Sequence, residues 1–387
     1  MPVIDVPRPD FMTDPEIEMF SDAAGKFFER HAPRERVAQW EAEGKVEPAF
    51  WREAGEAGLL GVSAPADFGG HGGDFRHDVV VVEQQHHKAV GGFAASLHNT
   101  IIMPYIINHG TDEQKRRWIP KLTSGEFISA IAMSEPDAGS DLQAIRTTAK
   151  KDGNGYRING SKTWISNGQI ANLIVVVCKT DPEQGAAGTS LLVLETEDAE
   201  GFSRGKNLDK IGQTAQDTSE LFFDNVFVPA DNLLGGEEGR GFYQLMGELP
   251  GERVIIAVQS MLAIEQALNE TVAYTSERKA FGRRVIDFQN TQFKLADLKA
   301  EATICRVFLN DCIKRVLEGG CDTTTAAIAK LWITELQGRC VDQCLQFHGG
   351  AGYINEYPIA KMYRDARVTR IFGGSSEIMR LLIARSL

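Results

Sequence analysis

The stretch GYRINGSKTWISNGQIANLIVVVCKT, residues 155–180, decides the fold of this chain. It alternates polar with apolar residues, is rich in β-branched and aromatic side chains, and contains the pairs Asn159-Gly160 and Asn167-Gly168. Alternation interrupted by Asn-Gly is typical of strands joined by hairpins. The stretches at 189–197 and 218–229 continue this pattern, so we predict a β-segment that ends near residue 229.

The residues on either side of the β-segment follow a helical period instead. From Asp14 the stretch DPEIEMFSDAAGKFFERHA opens with acidic residues and then repeats apolar residues on one face, as an amphipathic helix does. From Gly241 the helical period returns and continues to the end of the chain. The apolar face of the first helix is predicted to hold Ile17, Phe20, Ala24, Phe27 and Phe28.

The order helical, β, helical predicts an α+β protein that is mainly α. We expect an N-terminal helical bundle at residues 1–125, a central β-barrel-like domain at 126–235 and a C-terminal four-helix bundle at 236–387. The length of 387 residues agrees with several domains, because a single core rarely grows beyond about 250–300 residues.

The charge and the hydropathy pattern exclude several classes of function. A formal net charge of −12 argues against a nucleic-acid binder, which needs clustered Lys and Arg for phosphate contacts. The chain has no apolar run of the roughly 18 residues that a membrane span needs. The N-terminus is acidic and lacks the charged and then apolar pattern of a leader. We therefore expect a cytoplasmic protein if the source is bacterial, or a mitochondrial matrix protein if the chain is a processed eukaryotic one.

The cysteines and histidines do not predict a metal site. The six cysteines are scattered without a CxxC pair, and five of them lie in sequence that reads as helical. We expect them to be buried, reduced thiols. Cys340 and Cys344 share a helix face, but no His or further Cys completes a ligand set, and no HExxH motif occurs.

Four spaced motifs carry a resemblance to a known family. They occur in the order AMSEPDAGSD (132–141), KTWISNG (162–168), RKAFGRRVIDFQ (278–289) and QFHGGAGY (346–353). Together with the helix–β–helix order they resemble the acyl-CoA dehydrogenase family over nearly the whole chain. Further stretches, among them NHGTDEQ, AQDTSELFF and PIAKMYRDARV, are similar to the long-chain branch of that family.

The resemblance implies a cofactor, a reaction and partners. It implies noncovalent FAD, the oxidation of a fatty acyl-CoA to the trans-2-enoyl-CoA with hydride transfer to flavin N5, and electron transfer to an electron-transferring flavoprotein. It also implies a homotetramer built as a dimer of dimers, because in the family some FAD contacts come from a neighbouring subunit. Ser140, Tyr243 and Arg253 match positions on the substrate side.

The resemblance also assigns residues to the cofactor. By motif, Met133 and Ser134 contact the flavin near its pyrimidine end, while Trp164 and Ser166 lie against the ring. From the residues alone, Trp164 alternates into a strand and would be predicted to lie in the core. The remaining FAD contacts implied by the motifs are Arg278, Phe281, Gln289, Gln346, Gly349, Gly350, Ser375 and Glu377.

The catalytic base is the point where this sequence departs from many relatives. They carry a glutamate where this chain has Gly373, within Phe372-Gly373-Gly374-Ser375. A glycine cannot accept a proton. The long-chain branch has its glutamate in an LPxER segment, which corresponds to Glu252 in ELPGER (248–253).

One hypothesis explains both the glutamate at position 252 and the glycines at positions 373 and 374. We expect Glu252 to remove the α-proton, Gly373 to leave room for it, and the N–H at 373 to polarise the thioester oxygen, with Gly374 beside it. From the residues alone, Pro250 followed by Glu252 is also typical of a helix start, where an acid complements the dipole. Glu248 and Glu377 are the other acids considered for the base.

Several functions stay open on the sequence alone. The leading interpretation is a long-chain acyl-CoA dehydrogenase. A base on this helix is shared with branched-chain relatives, so a branched or short acyl-CoA is an alternative substrate. An oxidase of the same superfamily is a second alternative, although oxidases are typically longer. A catalytically inactive protein that binds FAD or acyl-CoA is the third, and Gly373 alone would favour it.

Overall fold

The computed structural model describes residues 2–387, and it confirms the mainly helical α+β class. Helical segments precede and follow one group of strands, in the order that the sequence predicts. The helices are α1 (Pro15–His31), α2 (Arg34–Glu43), α3 (Pro48–Glu56), α4 (Phe75–His87), α5 (Met103–His109), α6 (Asp112–Thr123), α7 (Gly241–Glu277), α8 (Gln289–Leu317), α9 (Thr323–His348), α10 (Pro358–Ala366) and α11 (Ser376–Ala384).

Seven strands form one sheet and two short strands form a hairpin. In the sheet the order is β1, β4, β2, β3, β7, β6, with β5 also paired to β4. Strand β4 is parallel to β1 and β2, and the other pairs are antiparallel. The strands are β1 (Ser129–Ala132), β2 (Thr148–Asp152), β3 (Gly155–Ser166), β4 (Leu173–Lys179), β5 (Thr189–Glu195), β6 (Phe202–Asn207), β7 (Thr218–Pro229), β8 (Lys279–Ala280) and β9 (Arg283–Arg284).

One of the two predicted Asn-Gly breaks is not a hairpin. Asn159-Gly160 lies inside β3, where the register against β7 shifts between Ile158 and Gly160. Gly160 has a φ of +149°, and a Cβ there would lie 2.4 Å from the Thr147 hydroxyl oxygen, so the glycine serves a bulge with close packing. The hairpin from β2 to β3 turns at residues 153–154 instead. Asn167-Gly168 does form a turn, and Asn167 has a φ of +60°.

The chain divides into two compact units, and the sheet belongs to the larger one, which comprises Met19–Lys210 and Thr214–Leu249. Strand β4 is buried along its whole length. Its side chains alternate between two apolar clusters, one shared with the helices α5 and α6 and the other with strands β3 and β7. A strand covered on both faces reads as a continuous apolar run, which explains the LIVVVC of this strand.

The other unit comprises the residues up to Glu18, Ile211–Gln213 and Pro250–Leu387, and helices dominate it. It holds most of α7 with all of α8 and α9, and the nine-residue helices α10 and α11 contact α9. Buried residues recur along α7, α8 and α9, and α8 packs against α9.

The cysteines agree with the expectation of buried, reduced thiols, because all six are free and buried. Cys321 lies between α8 and α9 and not in a helix, so the helical interpretation was wrong for this residue. Within residues 2–387, no helix is long and apolar enough to cross a membrane. Over the same residues, no group of three or more His, Cys, Asp or Glu side chains is arranged to hold a metal ion.

Candidate active site

The main chain after β1 lies beside β3, and this contact brings two of the sequence motifs together. The N–H of Thr163 donates to the carbonyl oxygen of Ser134 at 3.0 Å, and the Lys162 ammonium donates to the carbonyl oxygen of Met133 at 3.0 Å. Met133 and Ser134 are half-buried. The structure therefore places the predicted flavin contacts Met133, Ser134 and Trp164 on adjacent segments of the larger unit.

A buried ion pair supports this junction from inside. The Lys162 ammonium lies 2.9 Å from Oε1 of Glu135, and both side chains are buried. Glu135 also accepts hydrogen bonds from the N–H groups of Arg146 and Thr147. Burial lowers the pKa of Lys162, although Glu135 opposes this shift. Burial raises the pKa of Glu135, but Lys162 and the hydrogen bonds outweigh it and hold that pKa below its ordinary value.

Trp164 is exposed, whereas strand alternation predicted it to lie in the core. Its side chain is 59% exposed and its φ is +59°, a conformation uncommon for a non-glycine residue. The register of β3 against β7 shifts between Lys162 and Ile165. This bulge interrupts the alternation of inward and outward side chains, and the indole of Trp164 faces solvent. Exposed aromatic rings on strained backbone are typical of binding sites. Ser166 ends β3, where it pairs with Thr218.

Two predicted substrate contacts also belong to the larger unit. Glu135 and Ala138 exchange two backbone hydrogen bonds of 2.9 and 3.1 Å, and this tight turn presents Ser140 to solvent. Tyr243 lies in the first turns of α7 and is exposed, with the guanidinium of Arg240 over its ring at 5.8 Å. The side chains of Ser140 and Tyr243 are both exposed and therefore accessible to a ligand.

Glu252 is a buried acid inside a continuous helix. Helix α7 begins at Gly241, so Pro250 lies in its interior and the helix-start explanation for Glu252 is wrong. The Glu252 side chain is only 5% exposed. A carboxylate with this burial is unusual on a helix and points to a specific role. Glu248, in contrast, lies 2.8 Å from Nε2 of His109 and accepts a hydrogen bond from Asn108.

Residues 372–375, which we call the glycine turn, lie against α7 near Glu252. Gly373 and Gly374 have φ values of +62° and +96°, so both adopt backbone conformations that favour glycine. A Cβ at Gly373 would lie 2.5 Å from Cδ1 of Ile256, one helical turn beyond Glu252. The Arg253 guanidinium donates from Nε to the carbonyl oxygen of Gly373 at 3.4 Å. The structure thus places Gly373 and Gly374 next to Arg253 and Ile256, which belong to the same segment of α7 as Glu252.

The glycine turn leads directly into α11. Ser375 is the N-cap residue, and its hydroxyl accepts from the N–H of Ile378 at 3.4 Å. Glu377 is exposed in the first turn of α11, where hydrogen bonds from its own N–H and from Ser375 hold the pKa of its carboxyl below the ordinary value. Glu377 is thus a helix N-terminal acid that faces solvent, which sets it apart from the buried Glu252.

Another group of predicted cofactor contacts surrounds the β8–β9 hairpin. Arg278 follows the end of α7, and Gln289 is the first residue of α8; both are exposed. Phe281 at the hairpin tip is 95% exposed with a φ of +51°. Phe281 thus combines left-handed backbone, which costs free energy, with a phenyl ring that is accessible to a ligand.

The remaining predicted contacts lie at the C-terminal end of α9. Gln346, Gly349 and Gly350 are exposed, and a Cβ on either glycine would meet no atom within 4 Å. The rings of Tyr274 and His348 stack at 4.3 Å, and the Tyr274 hydroxyl donates to the carbonyl oxygen of His348 at 3.3 Å. This contact joins the end of α7, and so the Arg278 region, to the end of α9.

The exposed groups of each unit fit an aromatic cofactor that carries phosphates. Trp164 offers an exposed indole, and the Gly349–Gly350 segment leaves space beside its backbone amides, which suits phosphate oxygens. Sequence analysis missed the groups that support these sites, namely the Lys162–Glu135 pair and Lys330, whose ammonium donates to the Gly374 carbonyl oxygen. The signal was weak, because a lysine in a strand or helix usually faces solvent.

The exposed indole of Trp164 in the larger unit and the exposed Gly349–Gly350 segment of the other unit agree with a flavin-dependent oxidoreductase. Family models match three successive parts of the chain: the acyl-CoA dehydrogenase N-terminal domain at residues 14–126, the middle domain at 130–226 and the C-terminal domain at 239–387. The chain belongs to the acyl-CoA dehydrogenase family.

Similar proteins include enzymes of different acyl specificity. The mitochondrial long-chain specific acyl-CoA dehydrogenase of Rattus norvegicus is 46% identical over 96% of this chain and 86% of its own length. The mitochondrial isovaleryl-CoA dehydrogenase of Pongo abelii is 35% identical over 96% of this chain and 88% of its own length.

Solved structures share the fold closely. An acyl-CoA dehydrogenase from Geobacillus kaustophilus has a TM-score of 0.93 at 45% identity and covers 96% of this chain and 98% of its own. A glutaryl-CoA dehydrogenase from Mycobacterium smegmatis in complex with FADH2 has a TM-score of 0.87 at 26% identity, covering 97% and 95%. Family membership makes this chain an acyl-CoA dehydrogenase with FAD as its cofactor.

Proposed function

We propose that the chain catalyses α,β-dehydrogenation of a long-chain acyl-CoA to the trans-2-enoyl-CoA, with Glu252 as the α-proton base. The observation that carries the proposal is the direction of a side chain at position 373. A Cβ there would point at Ile256, one turn from Glu252 on the same helix. A carboxylate at position 373 would therefore point toward the part of α7 that carries Glu252. In this chain position 373 is a glycine, and Glu252 supplies the carboxylate.

The residues of the chain supply the proton chemistry. The Glu252 carboxylate takes the α-proton, and the electron pair of the broken C–H bond forms the α,β double bond as the β-hydrogen leaves with its own pair. FAD, when bound, supplies the acceptor for that hydride. The N–H of Gly373 donates to the thioester oxygen, where negative charge develops, and this stabilises the transition state.

We assign the flavin ring to Met133, Ser134, Trp164 and Ser166 of the larger unit. The exposed indole on a bulge and the main chain fixed by the Lys162–Glu135 pair support this assignment. The adenine-dinucleotide part is assigned to the hairpin and the end of α9, namely Arg278, Phe281, Gln289, Gln346, Gly349 and Gly350. Ser375 and Glu377 are also assigned to FAD. Ser140, Tyr243 and Arg253, with Gly373 and Gly374, are assigned to the acyl-CoA.

The greater identity to the long-chain relative, 46% against 35% for the isovaleryl relative, favours a long acyl chain. A branched or short acyl-CoA is the alternative substrate, and a series of acyl-CoAs of increasing length decides between them. We propose an electron-transferring flavoprotein as the acceptor. Faster turnover with an artificial acceptor than with oxygen separates this dehydrogenase from an oxidase.

We also propose three domains at 1–125, 126–235 and 236–387 and an assembly into a homotetramer. Support for the assembly comes from exposed apolar side chains along α8 and α9, listed here: Phe293, Ile304, Val307, Ile328 and Trp332. Ile304→Asp places a charge in this face and should dissociate the tetramer in sedimentation. The compartment proposed is the bacterial cytoplasm, or the mitochondrial matrix if the source is eukaryotic.

The test of the base is anaerobic mixing of the holoenzyme with a long-chain acyl-CoA while flavin absorbance is followed. Glu252→Gln should slow flavin bleaching by roughly 10²–10⁴-fold with FAD still bound, as expected for the loss of a general base. Glu248→Gln is the matched control and should bleach at the wild-type rate. Bleaching of Glu252→Gln at the wild-type rate would remove Glu252 from the mechanism.

If no acyl-CoA bleaches the wild-type flavin, the chain is an inactive binding protein and the glycine at 373 marks a lost activity.

A further inference from the structure

Lys330 on α9 is a fully buried ammonium, and its hydrogen bond goes to a main-chain carbonyl oxygen. Its side chain is 0% exposed, and Nζ donates to the carbonyl oxygen of Gly374 at 2.6 Å. The acids that act on its charge, Glu335 and Glu377, pair with Arg370 and Arg380. Burial of a charge is costly, and a lysine is almost never fully buried unless it is paired. The position therefore requires an explanation.

A second buried cation faces the preceding carbonyl of the same turn. The Arg253 side chain is buried, and its Nε donates to the carbonyl oxygen of Gly373 at 3.4 Å. A Cβ at Gly374 would lie 4.0 Å from Nη2 of Arg253. Cations from α7 and α9 thus hold the two consecutive carbonyl groups of the glycine turn.

These contacts act where the backbone has the most freedom. Gly373 and Gly374 carry no side chains and have positive φ, so nothing on these residues fixes the peptide planes. In the part of the chain that the structure describes, the N–H groups of Gly373 and Gly374 donate to no acceptor. A held carbonyl fixes its own peptide plane, so these contacts fix the N–H groups of Gly374 and Ser375 and anchor the turn immediately after the N–H of Gly373.

The surroundings of Lys330 keep its charge at neutral pH. Burial and the nearby Arg253 lower the pKa of Lys330 to about 8, while Glu335 on α9 and Glu377 on α11 oppose this shift. Stability alone does not account for an ammonium here, because well-packed apolar side chains often replace buried charges without loss.

We propose that Lys330 is a positioning residue, which anchors the Gly374 end of the glycine turn on α9 and so keeps the neighbouring N–H of Gly373 in place for the anionic oxygen of the substrate. This inference rests on the proposed function, in which that oxygen is the thioester oxygen. Hydrogen-bond donors fixed before the reaction stabilise developing charge better than donors that must reorganise. Lys330 supplies that fixation from a second helix, and it does not itself touch the substrate.

The test compares holoenzyme variants at position 330. Lys330→Met removes the charge and the donor, Lys330→Arg keeps both, and Lys314→Met removes an exposed ammonium of α8 as the matched control. FAD content and thermal unfolding verify the fold. The first measurement is kcat and KM with a long-chain acyl-CoA and an artificial acceptor. The second is the infrared carbonyl stretch of bound enoyl-CoA labelled with ¹³C at the thioester carbon, which reports polarisation without turnover.

We expect Lys330→Met to lower kcat by roughly 10–100-fold, less than the loss of an oxyanion donor itself, with little change in KM. The carbonyl stretch should move toward its value in free enoyl-CoA, Lys330→Arg should restore both quantities in large part, and Lys314→Met should match wild type. An unchanged carbonyl stretch in Lys330→Met, or an Arg variant as impaired as the Met variant, would overturn the proposal.

The outcomes also separate this inference from the proposed base. Glu252→Gln should slow turnover by roughly 10²–10⁴-fold but leave the carbonyl stretch of bound enoyl-CoA near its wild-type value. If Glu252→Gln is fully active while Lys330→Met shifts the stretch and lowers kcat, the base is wrong and the positioning role stands. If Lys330→Met does not retain FAD, the infrared measurement is made on Lys330→Gln instead. This variant keeps a hydrogen-bond donor without the charge, so the carbonyl stretch should move part of the way toward its value in free enoyl-CoA.

Discussion

The Lys162 ammonium lies 2.9 Å from Oε1 of Glu135 and 3.0 Å from the carbonyl oxygen of Met133, and this buried contact fixes the chain that follows β1. Lys162→Met should lower the apparent Tm by roughly 5–15 °C, because breaking a buried pair costs about 3–5 kcal/mol. The affinity for FAD should fall as well, since the Met133 main chain loses its support. Differential scanning fluorimetry and FAD titration measure the two effects.

The double variant Lys162→Met with Glu135→Gln is the control for the ion pair. It removes the unpaired charge but leaves an amide oxygen for the N–H groups of Arg146 and Thr147. Part of the lost stability should therefore return. A double variant less stable than Lys162→Met alone would contradict the account of an uncompensated buried charge.

Trp164→Ala should weaken FAD binding without destabilising the apoprotein. The indole is more than half exposed, so its removal deprives the core of little packing. Trp332→Ala is matched in size and is 53% exposed, but it lies on α9 among the side chains assigned to subunit contacts. It should change the sedimentation of the protein and leave FAD affinity within a few-fold. Equal loss of FAD affinity in both variants would show that Trp164 has no special contact with the cofactor.

The sequence predicted the order of the segments and several of their ends. Helix α7 begins at Gly241, where the helical period was predicted to return, and β7 ends at Pro229, where the β-segment was predicted to end. Both features depend on local periodicity, which a sequence displays directly.

Features that depend on tertiary contacts were harder to predict. Asn159-Gly160 reads as a hairpin turn, but it lies within β3 because β7 pairs with the strand on both sides of it. Trp164 reads as core, but the bulge that exposes it depends on the same pairing. The buried positions of Lys162 and Lys330 depend on partners distant in sequence, Glu135 and the glycine turn, which no local pattern reveals.

Asp78 on α4 should make stability fall as the pH rises. It is buried, one carboxylate oxygen has no hydrogen-bond partner within residues 2–387, and burial raises the pKa of its carboxyl to about 7. Between the unfolded pKa near 4 and pH 7, the folded state therefore holds a proton that the unfolded state has released. The stabilisation is complete below about pH 4 and is lost as the pH approaches 7.

Asp78→Asn removes this titration and keeps the shape of the side chain. The variant should gain Tm over wild type at pH 8 and gain little at pH 4.5. Thermal unfolding of both proteins at these two values measures the difference. A gain of the same size at both pH values would show that Asp78 is not protonated in the fold.

Gly373→Ala tests the space that the glycine turn leaves beside α7. The new Cβ adopts a φ of +62°, which costs roughly 1–2 kcal/mol, and it lies 2.5 Å from Cδ1 of Ile256. Gly153→Ala is the matched control, because Gly153 has a φ of +56° in the β2–β3 hairpin and no atom within 4 Å of the added Cβ. The backbone strain should lower the Tm of both variants by a similar amount.

Only Gly373→Ala should lose activity, and we expect about a tenfold fall in kcat, equivalent to about 1.4 kcal/mol of transition-state stabilisation. Adding Ile256→Ala should restore part of that activity, because the far end of the isoleucine side chain is the atom that the new methyl group meets. Steady-state kinetics of the single and double variants measure this coupling. Strictly additive effects would mean that the side chain at 373 does not point at this face of α7, and the relocation of the carboxylate to Glu252 would lose its structural basis.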